Sequence, residues 1–139
     1  MNVFELPFNK YIGIKKSSDP EYLLMLEGKE NYLNHLDTVH ASAQFALAEA
    51  TSGYFLLNQF QELENIFPVV RKVETKYRKP AQGEVFSKAD FANSSKDQIL
   101  EELSLKKRVL IIVRVLLYDS EHNNIMQADF EWFVAMKNN

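Results

Sequence analysis

The spacing of apolar positions changes several times along this chain, and each change predicts an element. Between residues 39 and about 57, Ala43, Ala46, Leu47, Ala50, Tyr54 and Leu57 recur at intervals of three and four, which predicts one helix of about 17 residues and about 25 Å. Its inward stripe is mostly alanine, with Gly53 beside it, so a sheet curling around it can come close to its axis. Ahead of it, two short apolar runs at residues 11–14 and 22–26 flank the turn-forming Ser17-Ser18-Asp19-Pro20 and predict two antiparallel strands. Behind it the period falls to two. Over residues 69–78, Val69, Arg71, Val73, Thr75 and Tyr77 share one face and the other is mostly polar. Pro80-Ala81-Gln82-Gly83 supplies a turn, and residues 84–92 read as the returning strand. Ser95 and Gln98 form a capping-box pattern for a short helix to about Leu103. The branched run from Val109 to Tyr118 is apolar on both faces, as a doubly covered central strand should be. The last strand alternates Met126, Ala128, Phe130, Trp132, Val134 and Met136 against Gln127, Asp129 and Glu131. The predicted order is ββ-α-ββ-α-ββ, an α+β domain whose antiparallel sheet packs on one long helix.

Composition narrows the possible functions. The 139 residues carry four glycines, four prolines and no linker-like tract, so 1–139 reads as a single domain. The absence of cysteine removes disulfides, thiolate nucleophiles and cysteine-ligated zinc, and fits a cytoplasmic protein. A net charge of −3 disfavours nucleic acid as a partner. No stretch nears the roughly 18 apolar residues of a membrane span. The expected protein is soluble and unprocessed.

The site motifs are few. His35, His40 and His122 are the only histidines, and none stands in a zinc-binding pattern, so no metal is expected. The chain has no GxSxG elbow, no phosphate-binding P-loop and no GxGxxG. Glu49 is the one carboxylate between residues 39 and 57. Periodicity puts it about 100° from the centre of the apolar stripe, flanked by Ser42, Phe45, Ser52 and Leu56. Phe45 and Leu56 should partly desolvate it there, which improves a carboxylate as a base. A surface glutamate in a good helix former is the plain alternative.

The string Asn34-His35-Leu36-Asp37-Thr38-Val39-His40, the small-residue start Ala41-Ser42-Ala43 and the later Leu47-Ala48-Glu49-Ala50 together resemble the signature of hotdog-fold acyl-CoA thioesterases. The likeness is to the phenylacetic-acid-pathway-like group and a related uncharacterised family. It extends, more weakly, to the strands carrying Tyr77, Lys79-Pro80-Ala81 and Gly83 and to the final hairpin. It implies a curved antiparallel sheet of about six strands around one long central helix, in a homodimer or tetramer with active sites between subunits. It further implies Glu49 as general base or nucleophile at a thioester carbonyl, with free backbone amides of Ser42 and Ala43 polarising that carbonyl. Asn34 and His40 match loop positions that line the pocket, and Phe45 joins them on the helix flank. Asp37 and Ser42 stand where the signature has glycine.

The substrate implied is an acyl-CoA, with no cofactor beyond the coenzyme A of the substrate itself. Its phosphates would call for cations such as Arg78 and Lys79, or Lys106, Lys107 and Arg108, although lysines also blunt sheet edges. Phe55, Leu56 and Leu57 either line an acyl channel or fill the core, while alternation turns Phe130 and Trp132 toward the core. Two other activities fit the same residues. One is acyl or CoA binding without catalysis, which the Asp37 and Ser42 departures favour. The other is a hydratase or dehydratase pairing His40 with Glu49.

Overall fold

A computed structural model describes residues 1–137, so residues 138–139 of the expected domain lie outside the described residues. The chain opens with a short helix that its hydrophobic pattern does not announce. Helix α1, Pro7–Ile12, starts on a proline and ends at Gly13, whose φ of 89° lets its N–H return to the Asn9 carbonyl at 3.0 Å. The strand expected over residues 11–14 is therefore corrected. Tyr11 and Ile12 close α1, and only β1, Lys15–Lys16, follows before β2, Leu24–Leu26. The Pro-to-Gly interval was the signal available in the sequence.

Helix α2, Ala41–Gln59, is the long helix, with His40 as its N-cap. Strand β3, Ile66–Tyr77, and strand β4, Val85–Phe91, come next. Helix α3, Lys96–Lys106, begins with the expected box: Ser95 Oγ accepts from the Gln98 N–H, and Gln98 Oε1 accepts from the Ser95 N–H. Strands β5, Arg108–Tyr118, and β6, Asn124–Met136, complete an antiparallel sheet in the order β1-β2-β4-β5-β6-β3. The element order after α1 is the one the sequence predicts.

The core lies between α2 and the inner sheet face. Leu47, Ala48 and Leu56 of α2 have no exposed surface, and neither do Val113, Val115 and Leu117 of β5 or Ala128 and Phe130 of β6. Burial of such side chains contributes about 1.5–3 kcal/mol each. Two hydroxyls cross this contact with partners: Thr51 Oγ1 donates to Ser87 Oγ at 2.7 Å, and Ser87 Oγ donates to the Leu24 carbonyl at 3.3 Å. They join α2 to β4 and β2 without leaving a buried hydroxyl unpaired.

Two strand readings change in the structure. A bulge between Val70 and Lys72 shifts the register of β3 against β6, so Val70 and Val73 both turn inward while Val69 is 40% exposed. The expected common face of Val69 and Val73 is thus broken by one extra residue. Strand β5 is central, but only its inner face is buried. Leu110 is 47% exposed, in register with Phe133 and, beyond it, Val69. The apolar outer side of the β5 run is therefore uncovered in the single chain.

Candidate functional site

Helix α2 is buried around most of its circumference, and what remains open is a narrow arc. At 100° per residue, Ser42, Glu49 and Gly53 fall within about 40° of one another, opposite Thr51. Ser42 and Glu49 are exposed, while Gly53 is buried beneath Trp132. The arc runs between two walls, the N-terminal segment with α1 on one side and β3 on the other, and forms two adjoining hollows. The first, about 470 Å³, lies at the helix start between Phe8, Ser42, Phe45 and Tyr77. The second, about 390 Å³, lies toward the helix end between Val3, Leu6, Gly53, Val70 and Trp132. Glu49 lines both. Glu49 is exposed, more open than the partly desolvated boundary expected from periodicity. Leu56, read as its neighbour, is wholly buried.

The helix start differs from expectation more sharply. The Ser42 N–H donates to His40 Nδ1 at 2.9 Å, and the Ala43 N–H donates to the His40 carbonyl at 3.0 Å. Neither amide is free, so the reading of both as open donors is corrected. Ala43 itself is buried. His40 performs the N-cap task that Ser, Thr, Asp or Asn usually perform. Because its Nδ1 accepts, this bond requires the other ring nitrogen to carry the proton. Within one chain, His40 and Glu49 are nine residues apart, about 13 Å along the axis, too far to act together on one double bond.

Asn34 is also engaged locally. Its Oδ1 accepts from the Leu36 and Thr38 amides at 2.9 and 3.1 Å, and its Nδ2 donates to Thr38 Oγ1 at 3.0 Å. The residue shapes the loop before α2 and does not line either hollow, in contrast to its expected role. Asp37, where the signature has glycine, has φ of 59°, in the left-handed region that glycine and, less often, aspartate adopt. Arg78 and Lys79 lie one and two residues beyond Tyr77. Both backbone amides donate to the Ile125 carbonyl, and Arg78 Nη2 donates to Gln127 Oε1 at 3.2 Å. Neither lines the first hollow, in contrast to their expected role.

Sequence reasoning missed three contributors. Tyr77 Oη donates to the Ala41 carbonyl at 3.1 Å, and burial pushes its phenol above the usual value, so the group is a protonated donor at neutral pH. Trp132, read as core, is half-buried. Its Nε1–H donates to Ser52 Oγ at 3.2 Å, and Ser52 Oγ donates to the Glu49 carbonyl at 2.8 Å. Phe8, on the unforeseen α1, is 61% exposed against the first hollow. An aromatic bracket around a helix-borne acid is a geometric signal, and only the paired register of β3 and β6 brings Tyr77 and Trp132 to it.

Residues 14–134 match a family described as a domain of unknown function, DUF4442. No curated protein matches the chain. Among solved structures, a Pseudomonas aeruginosa protein of unknown function, described as a probable thioesterase, is 21% identical with a TM-score of 0.82, over 96% of this chain and 91% of that one. A Haemophilus influenzae thioesterase is 14% identical with a TM-score of 0.73, over 99% and 88%. A hypothetical thioesterase protein from Streptococcus pneumoniae, solved with coenzyme A, is 14% identical with a TM-score of 0.65, over 91% and 89%. At these identities the likeness is one of fold, and the fold is the hotdog architecture: a six-stranded antiparallel sheet with one long central helix.

Proposed function

The chain belongs to the DUF4442 family, and from that footing we propose that it hydrolyses an acyl-CoA-type thioester, with Glu49 acting on water. One observation carries this reading: the only carboxylate of α2 stands at the junction of two hollows, on the open arc of the helix. The named thioesterases and the coenzyme A complex among the fold relatives support the same chemistry.

The spacing favours one mechanism over the other. Ser42 and Glu49 are seven residues apart, about 10 Å along the axis. A carboxylate attacking directly would have to touch a carbon held at the helix start, whereas this separation leaves room for one water. In the proposed step, the thioester oxygen takes the place of His40 Nδ1 as acceptor for the Ser42 N–H. The exchange is like for like, so no donor is left unpaired. The positive end of the helix adds to the stabilisation of the oxyanion, while the Tyr77 hydroxyl, whose one proton goes to the Ala41 carbonyl, holds the wall in place. Glu49 removes a proton from water as its oxygen bonds to the carbonyl carbon. The C–S bond then breaks, the proton passes from Glu49 to the thiolate, and free acid and thiol result.

A second protomer belongs to this reading. Among the described residues β3 is a 12-residue edge strand paired with β6 alone, and an edge of that length invites a partner. A homodimer joined there would place a second copy beside the wall formed by Tyr77. The hold of His40 on the Ser42 amide favours a second reading, acyl-CoA binding without turnover. Thiol release from a panel of acyl-CoA esters separates the two. Glu49→Gln is expected to lower the rate about 10²–10⁴-fold while retaining ligand binding. Equal rates in parent and variant would overturn the base assignment, and an inactive parent that still binds would establish the second reading.

A further inference from the structure

The two hollows that meet at Glu49 differ in chemistry, and the difference orients a ligand. The one at the helix start holds Ser42, Tyr77 and the positive end of α2 beside Phe8 and Phe45, and Arg78 and Lys79 follow Tyr77 along the chain. The other is lined mostly by apolar residues, among them Val3, Leu6, Val70 and Trp132, with Gly53 on the helix and Asn9 as its one polar residue besides Glu49. An acyl-CoA has the same order along its length, with an apolar tail, a polar thioester and a phosphate-bearing carrier.

We propose that the acyl chain lies in the hollow beside Gly53, with Gly53 and Trp132 setting its permitted length. This rests on the thioester reading above and deepens it by naming the selective residues. From Glu49 to Leu57 the helix rises about 12 Å, so the hollow accommodates a chain of middle length. Gly53 and Trp132 meet about halfway along it, about 6 Å from Glu49, so together they narrow the path to Leu57. A Cβ placed on Gly53 would stand 3.6 Å from Trp132 Cζ2, an ordinary contact. The first atom of a larger side chain is therefore tolerated, and the remainder must project into space that the acyl chain would occupy. Trp132 blocks the same space from the sheet, held in place by its bond to Ser52. The two residues thus act on chain length in opposite directions when one is enlarged and the other reduced.

The experiment compares thiol release from acetyl-, octanoyl- and palmitoyl-CoA in the parent, Gly53→Leu and Trp132→Leu, with circular dichroism to verify folding. Gly53→Leu is expected to lower the octanoyl-to-acetyl rate ratio at least about tenfold, and Trp132→Leu to raise the palmitoyl-to-octanoyl ratio by a similar factor. Loss by one common factor across all three esters, in both folded variants, would overturn the assignment. So would an altered elution volume in gel filtration with acyl preference unchanged, which would make the hollow a contact between copies. A measurement on the parent keeps the proposal independent of turnover. Trp132 is the only tryptophan, so its emission should shift with a non-hydrolysable thioether analogue of octanoyl-CoA and stay constant with free coenzyme A. Equal response to both, or to neither, would overturn the placement of the acyl group even if hydrolysis is demonstrated. A parent that releases no thiol yet shows the selective shift would remove hydrolysis and retain the acyl site.

Discussion

The two sides of α2 are built to different standards. Toward the sheet, Leu47, Ala48 and Thr51 are sealed against β4 and β5, and the Thr51 hydroxyl finds a partner in Ser87. Toward the N-terminal segment and β3, the same helix leaves Ser42 and Glu49 uncovered, with open volume on either side of the acid. A surface helix of a globular protein usually meets water with a broad polar face. Here alanines fill much of the circumference, and the open arc is narrow and walled by aromatics. The sealed side explains why the chain folds, and the unsealed side is where chemistry can be carried without loss of stability.

That contrast can be broken by mutation. The largest effect expected is on rate: Glu49→Gln should reduce thiol release by the factor given above and change the free energy of unfolding in denaturant by less than about 0.5 kcal/mol, because it removes no core contact. Leu47→Ala should show the converse, losing about 2–5 kcal/mol in denaturant unfolding, with the rate per folded molecule nearly retained. If Glu49→Gln also destabilised the protein by several kcal/mol, the acid would belong to the framework. A smaller effect is expected at the helix start. His40→Ala removes the cap on Ser42 and should lower stability by about 1 kcal/mol, while a freed amide should lower KM for the thioester. An unchanged KM would mean that the thioester oxygen does not use that amide. Least of all, Gly53→Ala should raise stability by about 0.5–1 kcal/mol, measurable by calorimetry, since its methyl group meets Trp132 at ordinary distance.

Much of the framework was legible because it follows from periodicity. The alanine spacing gave α2, Ser95 and Gln98 gave the start of α3, and the alternation from Met126 gave β6. Three features were not legible for identifiable reasons. The bulge in β3 adds one residue to a strand, and a strictly alternating pattern carries no mark of it. The outer side of β5 reads as buried because its residues are apolar, yet whether an apolar face is covered depends on what packs there. The capping role of His40 depends on a ring nitrogen meeting a backbone amide, and histidine is rarely counted among N-caps. Asp37 teaches the reverse lesson. A departure from a glycine signature that counted toward binding without catalysis is a backbone matter, since the position has φ of 59° and aspartate bears it. Spacing put Glu49, Ser42 and Phe45 on one flank of α2, and all three line the hollow at the helix start. The aromatic walls, Tyr77 and Trp132, needed the pairing of β3 with β6.

The shortness of α1 has a kinetic consequence. Six residues close few internal hydrogen bonds, and helix formation at that length is marginal without outside support. Its support comes from a few contacts outside the helix: Asn9 Nδ2 donates to the Val3 carbonyl at 3.0 Å, and the hydroxyl of Tyr32, twenty residues on, donates to the Ile12 carbonyl. One bank of the channel can therefore come away and return while the sheet stays intact, with a free energy below that of global unfolding. Amides of α1 should exchange with deuterium faster than those of α2, so the bank that bears Phe8 can yield to a bulky ligand without any cost to the sheet.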